Sequence, residues 1–431
     1  MTTSLPDLNE LMAKVSAASR AAADDPGQRE ALAEALLDLC EGLQELHEFG
    51  DAADASAEAM RVIGALVEGG RRELNVTLGV AMRHHADALI ELGQGGRALD
   101  LYGDAVRLLA DLAQLDPKVQ PEFTGTLLNY GEGLRRCGLL DEALRALDQA
   151  LELFEAFSFG ADPDPTQVSS IALTQLNRGK ALADLGRNDE AIAAMRQAVA
   201  VFHEYGDGLP QLHAVTYADA LDALAGMLRQ LGRVDEAIEP AEQGLEVITK
   251  LALGDAVRYL HPLARLTHNL GRCYQRAGHS ERAVAVYEQA VNAYEILAKA
   301  QPHAHRITLA QVTSNYGLAL AQTGQLERAY AIGQQALTLA EADGDTLLPL
   351  ITGAQQFLAD LAADLGRPER SIAHLAEGMR LLGEAVEAGK PGAREAAGRL
   401  GRSATEASAE LGIALPDDVV GLIGELGMAD E

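Results

Sequence analysis

The stretch His268–Val291, HNLGRCYQRAGHSERAVAVYEQAV, reads as a helix, a tight turn and a second helix. Leu270, Tyr274 and Ala277 recur at helical spacing before Gly278, and Ala283, Val286, Tyr287, Ala290 and Val291 do so after it. Gly278 stands between the two runs, where a chain reversal favours a residue that tolerates positive φ. The phrase returns as NYGLALAQTGQLERAYAIGQQAL from Asn315 to Leu337, and again around Gly138, Gly186 and Gly232. Marking the turns at Gly50, Gly93, Gly138, Gly186, Gly232, Gly278, Gly324, Gly366 and Gly412 gives spacings of 42 to 48 residues, a period that tandem helix pairs explain.

Composition agrees with this reading. Hydrophobic residues make up 48% of the 431 and aromatics only 4%, with no Trp, which suits helices packed closely through small side chains. Short polar or Pro-containing connections join the pairs at Leu115-Asp116-Pro117, Ala161–Pro165, Gly206-Asp207-Gly208, Ala300-Gln301-Pro302 and Gly389–Gly392. The expected organisation is an N-terminal helix and cap over 1–28, eight to nine helical hairpins over 29–412, and an acidic capping segment over 413–431. An array of this kind needs a polar outer face at its end, and Pro416–Glu431 carries five acids and no base.

The net charge of −29 argues against nucleic acid or an anionic membrane as partner, because phosphate recognition requires a basic face. Neither a leader peptide nor a run of about 18 apolar residues is found, so a cytoplasmic protein is expected. Cys40, Cys137 and Cys273 form no CxxC pair and are read as buried reduced thiols.

Aligned on the turn, the units show columns. Seven residues before it stand Ala86, Gly131, Gly179, Ala225, Gly271, Gly317 and Ala359; five after it stand Ala55, Ala98, Ala143, Ala191, Ala237, Ala283 and Ala329. With the phrase Asn269-Leu270-Gly271-Arg272-Cys273-Tyr274 intact, the array resembles the tetratricopeptide repeat. That resemblance implies an all-α, right-handed α-solenoid of antiparallel helix pairs that binds other proteins. The common repeat has about 34 residues, so the longer period here resembles the long-repeat branch of kinesin light chains and bacterial signalling proteins.

Two features stand out from the packing pattern. Nine residues before the turn come Asn129, Asn177, Asn269 and Asn315, with His84 in another unit. Asn is a mediocre helix former, and a carboxamide offers both a donor and an acceptor to a peptide backbone. The resemblance places this position on the groove, although such amides can equally bond a neighbouring helix. Second, residues 256–310 hold seven bases against three acids, whereas 1–60 hold three against 13. Arg265, His268, Asn269, Arg272 and Arg276 fall at spacings of three and four along one helix side, a cluster shaped to grip a carboxylate. Lys180, three residues after Asn177, joins the same candidate set. The histidine pairs His84/His85 and His303/His305 lack a convergent set of metal ligands, and no cofactor or catalytic motif is found.

The expectation is a non-catalytic scaffold whose groove takes a peptide or partner protein, either net basic or with an acidic C-terminus docking near Arg265–Arg276. A ligand-sensing regulatory module of a bacterial signalling system is the alternative, and an enzyme on a helical solenoid a more distant one.

Overall fold

A computed structural model of the chain describes residues 8–157, 165–205, 211–342 and 348–426. The connections at Ala161–Asp164 and Gly206–Gly208 and the last five residues lie outside the described residues. Among the described residues there are nineteen α-helices and no strand. They fall into two compact units, residues 1–227 and 228–431.

The first unit opens with α1 (Leu8–Asp24) and continues as the antiparallel pairs α2 (Arg29–Glu45) with α3 (Phe49–Glu68), α4 (Asn75–Glu91) with α5 (Gly95–Leu115), α6 (Gln120–Arg136) with α7 (Leu140–Phe157), and α8 (Pro165–Asp184) with α9 (Asn188–Tyr205). Helix α10 (Gln211–Gln230) ends it, its last three residues belonging to the second unit. The second unit holds α11 (Val234–Ala252), the pairs α12 (Leu260–Arg276) with α13 (Ser280–Ala300), α14 (Pro302–Gln322) with α15 (Leu326–Glu341), and α16 (Leu348–Asp364) with α17 (Pro368–Glu387). Two closing helices follow, α18 (Ala393–Leu411) and α19 (Asp417–Glu425).

Each hairpin turn closes in the same way. At Gly138 (φ +80°) the Leu139 N–H donates to the Leu134 carbonyl and the Gly138 N–H to that of Arg135, both at 2.9 Å. This pairing satisfies carbonyls that a helix end leaves open and requires a left-handed residue. Gly93, Gly186, Gly232, Gly278, Gly324 and Gly366 take the same conformation.

The first turn departs from the sequence reading. Gly50 lies inside α3, and the left-handed residue is His47 at φ +61°. The Glu48 N–H reaches the Leu43 carbonyl at 2.9 Å, so the hydrogen bonds are those of the other turns. His47 restores a spacing of 46 residues to Gly93 and moves the alanine column in this unit from Ala55 to Ala52. Ala52 is fully buried, as are Ala98, Ala143, Ala191, Ala237, Ala283 and Ala329.

The small columns face each other within a pair. A Cβ added to Gly179 would lie 3.1 Å from the Ala191 carbonyl oxygen, and one on Gly131 would lie 2.6 Å from Leu147 Cγ. On α12 the neighbour is larger, because the ring of the fully buried Tyr287 lies 2.6 Å from where a Gly271 Cβ would stand. Small residues therefore seat a large one from the partner helix, which is how a chain without Trp fills its interior.

Beyond its own pair, each first helix touches the first helix of the next: α2 on α4, α4 on α6 and α6 on α8 in one unit, α12 on α14 and α14 on α16 in the other. The second helices instead pack on the first helix that follows. The first helices thus form the inner wall of each unit. Of the three cysteines Cys40 and Cys273 are buried, but Cys137, the C-cap of α6, is exposed, with its sulfur beside Gly95 at the start of α5. At α19, Val419 and Ile423 pack into the core beside Met379 and Leu382 of α17.

Candidate binding walls of the two units

In the first unit the amides of the Asn column are already engaged. Asn129 on α6 donates to both carboxylate oxygens of Asp87 on α4, at 3.1 and 3.2 Å. Asp87 also accepts from the Tyr102 hydroxyl. Burial pushes this carboxyl above the usual range. On α8, Asn177 is buried and its Oδ1 accepts from Lys180 at 3.3 Å. His84, in the same register on α4, is buried beside Gln44 and lies 3.3 Å from Glu41.

The basic residues of this wall are matched by acids. Arg136 forks onto Glu91, at 3.1 Å to one oxygen and nearer to the other, and Arg135 bridges Glu132 at 2.8 Å and Asp184 at 2.6 Å. A cavity of about 350 Å³ opens among α4, α5, α6 and α8, with Asp87, Tyr102, Asn129, Asn177 and Lys180 in its lining.

The second unit repeats the ladder with other chemistry. Asn315 on α14 bonds His268 Nε2 on α12 at 3.0 Å, and His268 stacks obliquely on Tyr287 with ring centroids 6.0 Å apart. Burial, with Arg272 and Arg229 beside it, pushes the His268 imidazole down to about 4, so it is neutral at physiological pH. Arg265 and Asn269, on the same helix, are engaged by neighbours.

Around His268 the arginines are handled differently from those of the first unit. Arg272 and Arg276 of α12 and Arg229 near the end of α10 make no ion pair among the described residues. Arg229 and Arg272 are half-buried. Burial, and then the charge of Arg272, hold the Arg229 guanidinium below its ordinary value, with Arg276 adding to the repulsion. Three cations facing one another without a counter-charge favour an oxyanion between them, and guanidiniums can grip it through two N–H groups each.

The structure therefore brings Arg272 and Arg276 together with Arg229, a residue outside the sequence-derived set. His268 acts there as a neutral spacer held by Asn315. The Asn side chains split between two roles: the amides of Asn129 and Asn315 tie neighbouring first helices together, and their carbonyl oxygens remain as acceptors on the wall. Among the described residues no group of three or more His, Cys, Asp and Glu side chains gathers as a metal site, and no helix is long and apolar enough to cross a membrane.

Residues 170–250 and 216–296 match the family model described as tetratricopeptide repeat. No curated protein matches the chain in sequence. Among solved structures the apo form of RapI is similar over 88% of this chain and 98% of its own, at 13% identity and a TM-score of 0.56. A signal transduction ATPase with numerous domains from Pyrococcus horikoshii, described as carrying a tetratricopeptide repeat sensor, is similar at 16% identity and a TM-score of 0.51. That similarity covers 83% of this chain and 53% of the ATPase. A putative kinesin light chain from Podosopora anserina, with nearly identical TPR-like repeats, overlaps 53% of this chain and 98% of its own at 22% identity, with a TM-score of only 0.40.

Proposed function

From the premise that the chain is a tetratricopeptide-repeat protein, we propose that it is a non-catalytic scaffold holding a peptide or partner protein along the inner wall of first helices, with a partner's terminal carboxylate seated at Arg229, Arg272 and Arg276. The observation that carries the reading is that these three arginines make no ion pair among the described residues in a chain of net charge −29. Acids are abundant, and the arginines of the first-unit wall find them. A half-buried guanidinium held beside two others is costly unless an anion arrives. The side-chain oxygen of Asn315, on the wall of the same unit, offers an acceptor to a backbone N–H of a chain anchored there. The acidic remainder of the molecule favours a partner whose body is basic. On this reading α1 and α19 serve as capping helices of the binding array.

The test is fluorescence anisotropy with basic peptides that differ only in a free or amidated C-terminus. The free acid should bind at least tenfold more tightly, and Arg272→Ala with Arg276→Ala should erase the difference. Equal binding of acid and amide would overturn the carboxylate seat. The likeness to an ATPase whose repeats are described as a sensor supports a second reading, in which the bound peptide changes the array's curvature and so what its outer face holds. A change in small-angle scattering on adding the free-acid peptide would distinguish this from a passive scaffold.

A further inference from the structure

The geometry points to the cavity between α16 and α18 as the site of an uncharged small molecule with an apolar body and one hydroxyl group. At about 620 Å³ it falls in the middle of the size range of small-molecule sites. Leu348, Thr352 and Gln356 line it from α16 at spacings of four, and Ala393, Ala396 and Leu400 from α18 at spacings of three and four. Each set is one stripe of its helix, so two helix faces look into the same space. Leu382 of α17 and the loop Lys390-Pro391-Gly392 complete the lining.

The floor of the cavity is apolar. Leu382 and Leu400 belong to the buried core of this end of the unit, and Leu348 packs against that core. A hydrocarbon laid on them leaves water for carbon contacts. The charged groups of the lining are already answered. Glu395 and Arg399 pair with each other at 2.6 Å, and Lys390 is engaged by a neighbour. An ion entering would give up water without gaining a counter-charge, so the fitting ligand is neutral.

The polar side chains on α16 offer acceptors. The Thr352 hydroxyl donates to the Leu348 carbonyl at 2.9 Å, and Gln356 gives an amide hydrogen to Asp360. The side-chain oxygen of each keeps lone pairs, and a ligand hydroxyl supplies the donor that meets them. Gly353 lies in the same lining, within α16, where glycine weakens a helix. A Cβ placed there would meet nothing within 4 Å, so packing does not require the glycine and a larger side chain has room at that wall. None of these residues belongs to the arginine seat. The inference does not rest on the peptide scaffold reading, and either can fail alone.

The experiment is isothermal titration of the full chain with 1-octanol, octanoate, octylammonium, methyl heptyl ether and N-acetyl-leucinamide. Octanol should bind at least tenfold more tightly than either ion and at least threefold more tightly than the ether, which has no donor. Thr352→Val with Gln356→Leu should remove the advantage over the ether. Gly353→Leu should lower octanol affinity at least tenfold with helicity kept. No heat from octanol at millimolar concentration, equal binding of octanol and the two ions, or equal binding of octanol and the ether would overturn the inference. So would undiminished octanol binding by Gly353→Leu with unchanged circular dichroism. Tighter binding of N-acetyl-leucinamide than of octanol would give the cavity to a peptide side chain and overturn it as well.

Discussion

The inner walls of the two units are made by the same register of the same helical hairpin and carry opposite electrostatics. On α6 Arg135 and Arg136 are each answered by an acid, and Asp87 on α4 takes its hydrogen bonds from neutral donors. On α12, with Arg229, the uncompensated groups are guanidiniums. The buried alanine and glycine columns are shared by both units whichever charges the wall carries. A repeat scaffold can therefore carry differently charged walls on a common core.

The largest expected effect follows from reversing one of these surfaces. Arg272→Glu with Arg276→Glu should weaken a peptide with a free C-terminus about a thousandfold, roughly 4 kcal/mol, as for loss of desolvated charge contacts. Arg136→Glu on the other wall should change it less than about threefold, which anisotropy would read directly.

Acid should separate the walls next. His268 has its folded value near 4, below the unfolded one, so the unfolded chain binds the extra proton and stability falls as pH drops from about 6.5 to about 4. The full effect is about 3 kcal/mol. Asp87 runs the other way: its folded value is raised, so its contribution is fully present below the unfolded carboxyl value and is lost as pH rises through the folded one. Because the two oppose each other, the comparison is with His268→Asn: urea unfolding at pH 7, 5.5 and 4.5 should show the wild type losing stability relative to that variant as pH falls. An unchanged slope would mean the imidazole titrates normally.

Packing gives a third contrast. Gly271→Ala meets the immovable ring of Tyr287 and should cost roughly 1 to 3 kcal/mol. Gly138→Ala meets nothing, and its cost of roughly 1 to 2 kcal/mol would come from the left-handed backbone alone. Thermal unfolding of the two variants separates steric from conformational penalties. Smallest of all, Arg136→Ala removes an ion pair whose partners are each more than a third exposed, and should cost about 0.5 kcal/mol or less.

The hairpins were legible in the sequence because their determinants are local: a left-handed turn residue and small residues at constant offsets from it. The same logic explains the misplacement of the first turn. His47 occupies the left-handed position without being glycine, and Gly50 stands three residues later, so the alignment slid to Ala55 and passed over Ala52. The anion seat was half visible. Arg272 and Arg276 share a helix and declare themselves by spacing, whereas Arg229 lies over forty residues earlier and meets them only through stacking. Its signal was its position three residues before Gly232. The two fates of the Asn amides were not separable by spacing, since donating to Asp87 or His268 depends on what the neighbouring first helix presents.

The length of the helices has a further consequence. The first helices of the walls run 17 to 21 residues, which at 1.5 Å per residue makes each strip of wall about 25 to 32 Å broad. A single extended strand covers only part of that breadth. A ligand anchored at the arginines therefore leaves a margin of unoccupied helix beside it, wide enough for a second chain to lie alongside and be read together with the first.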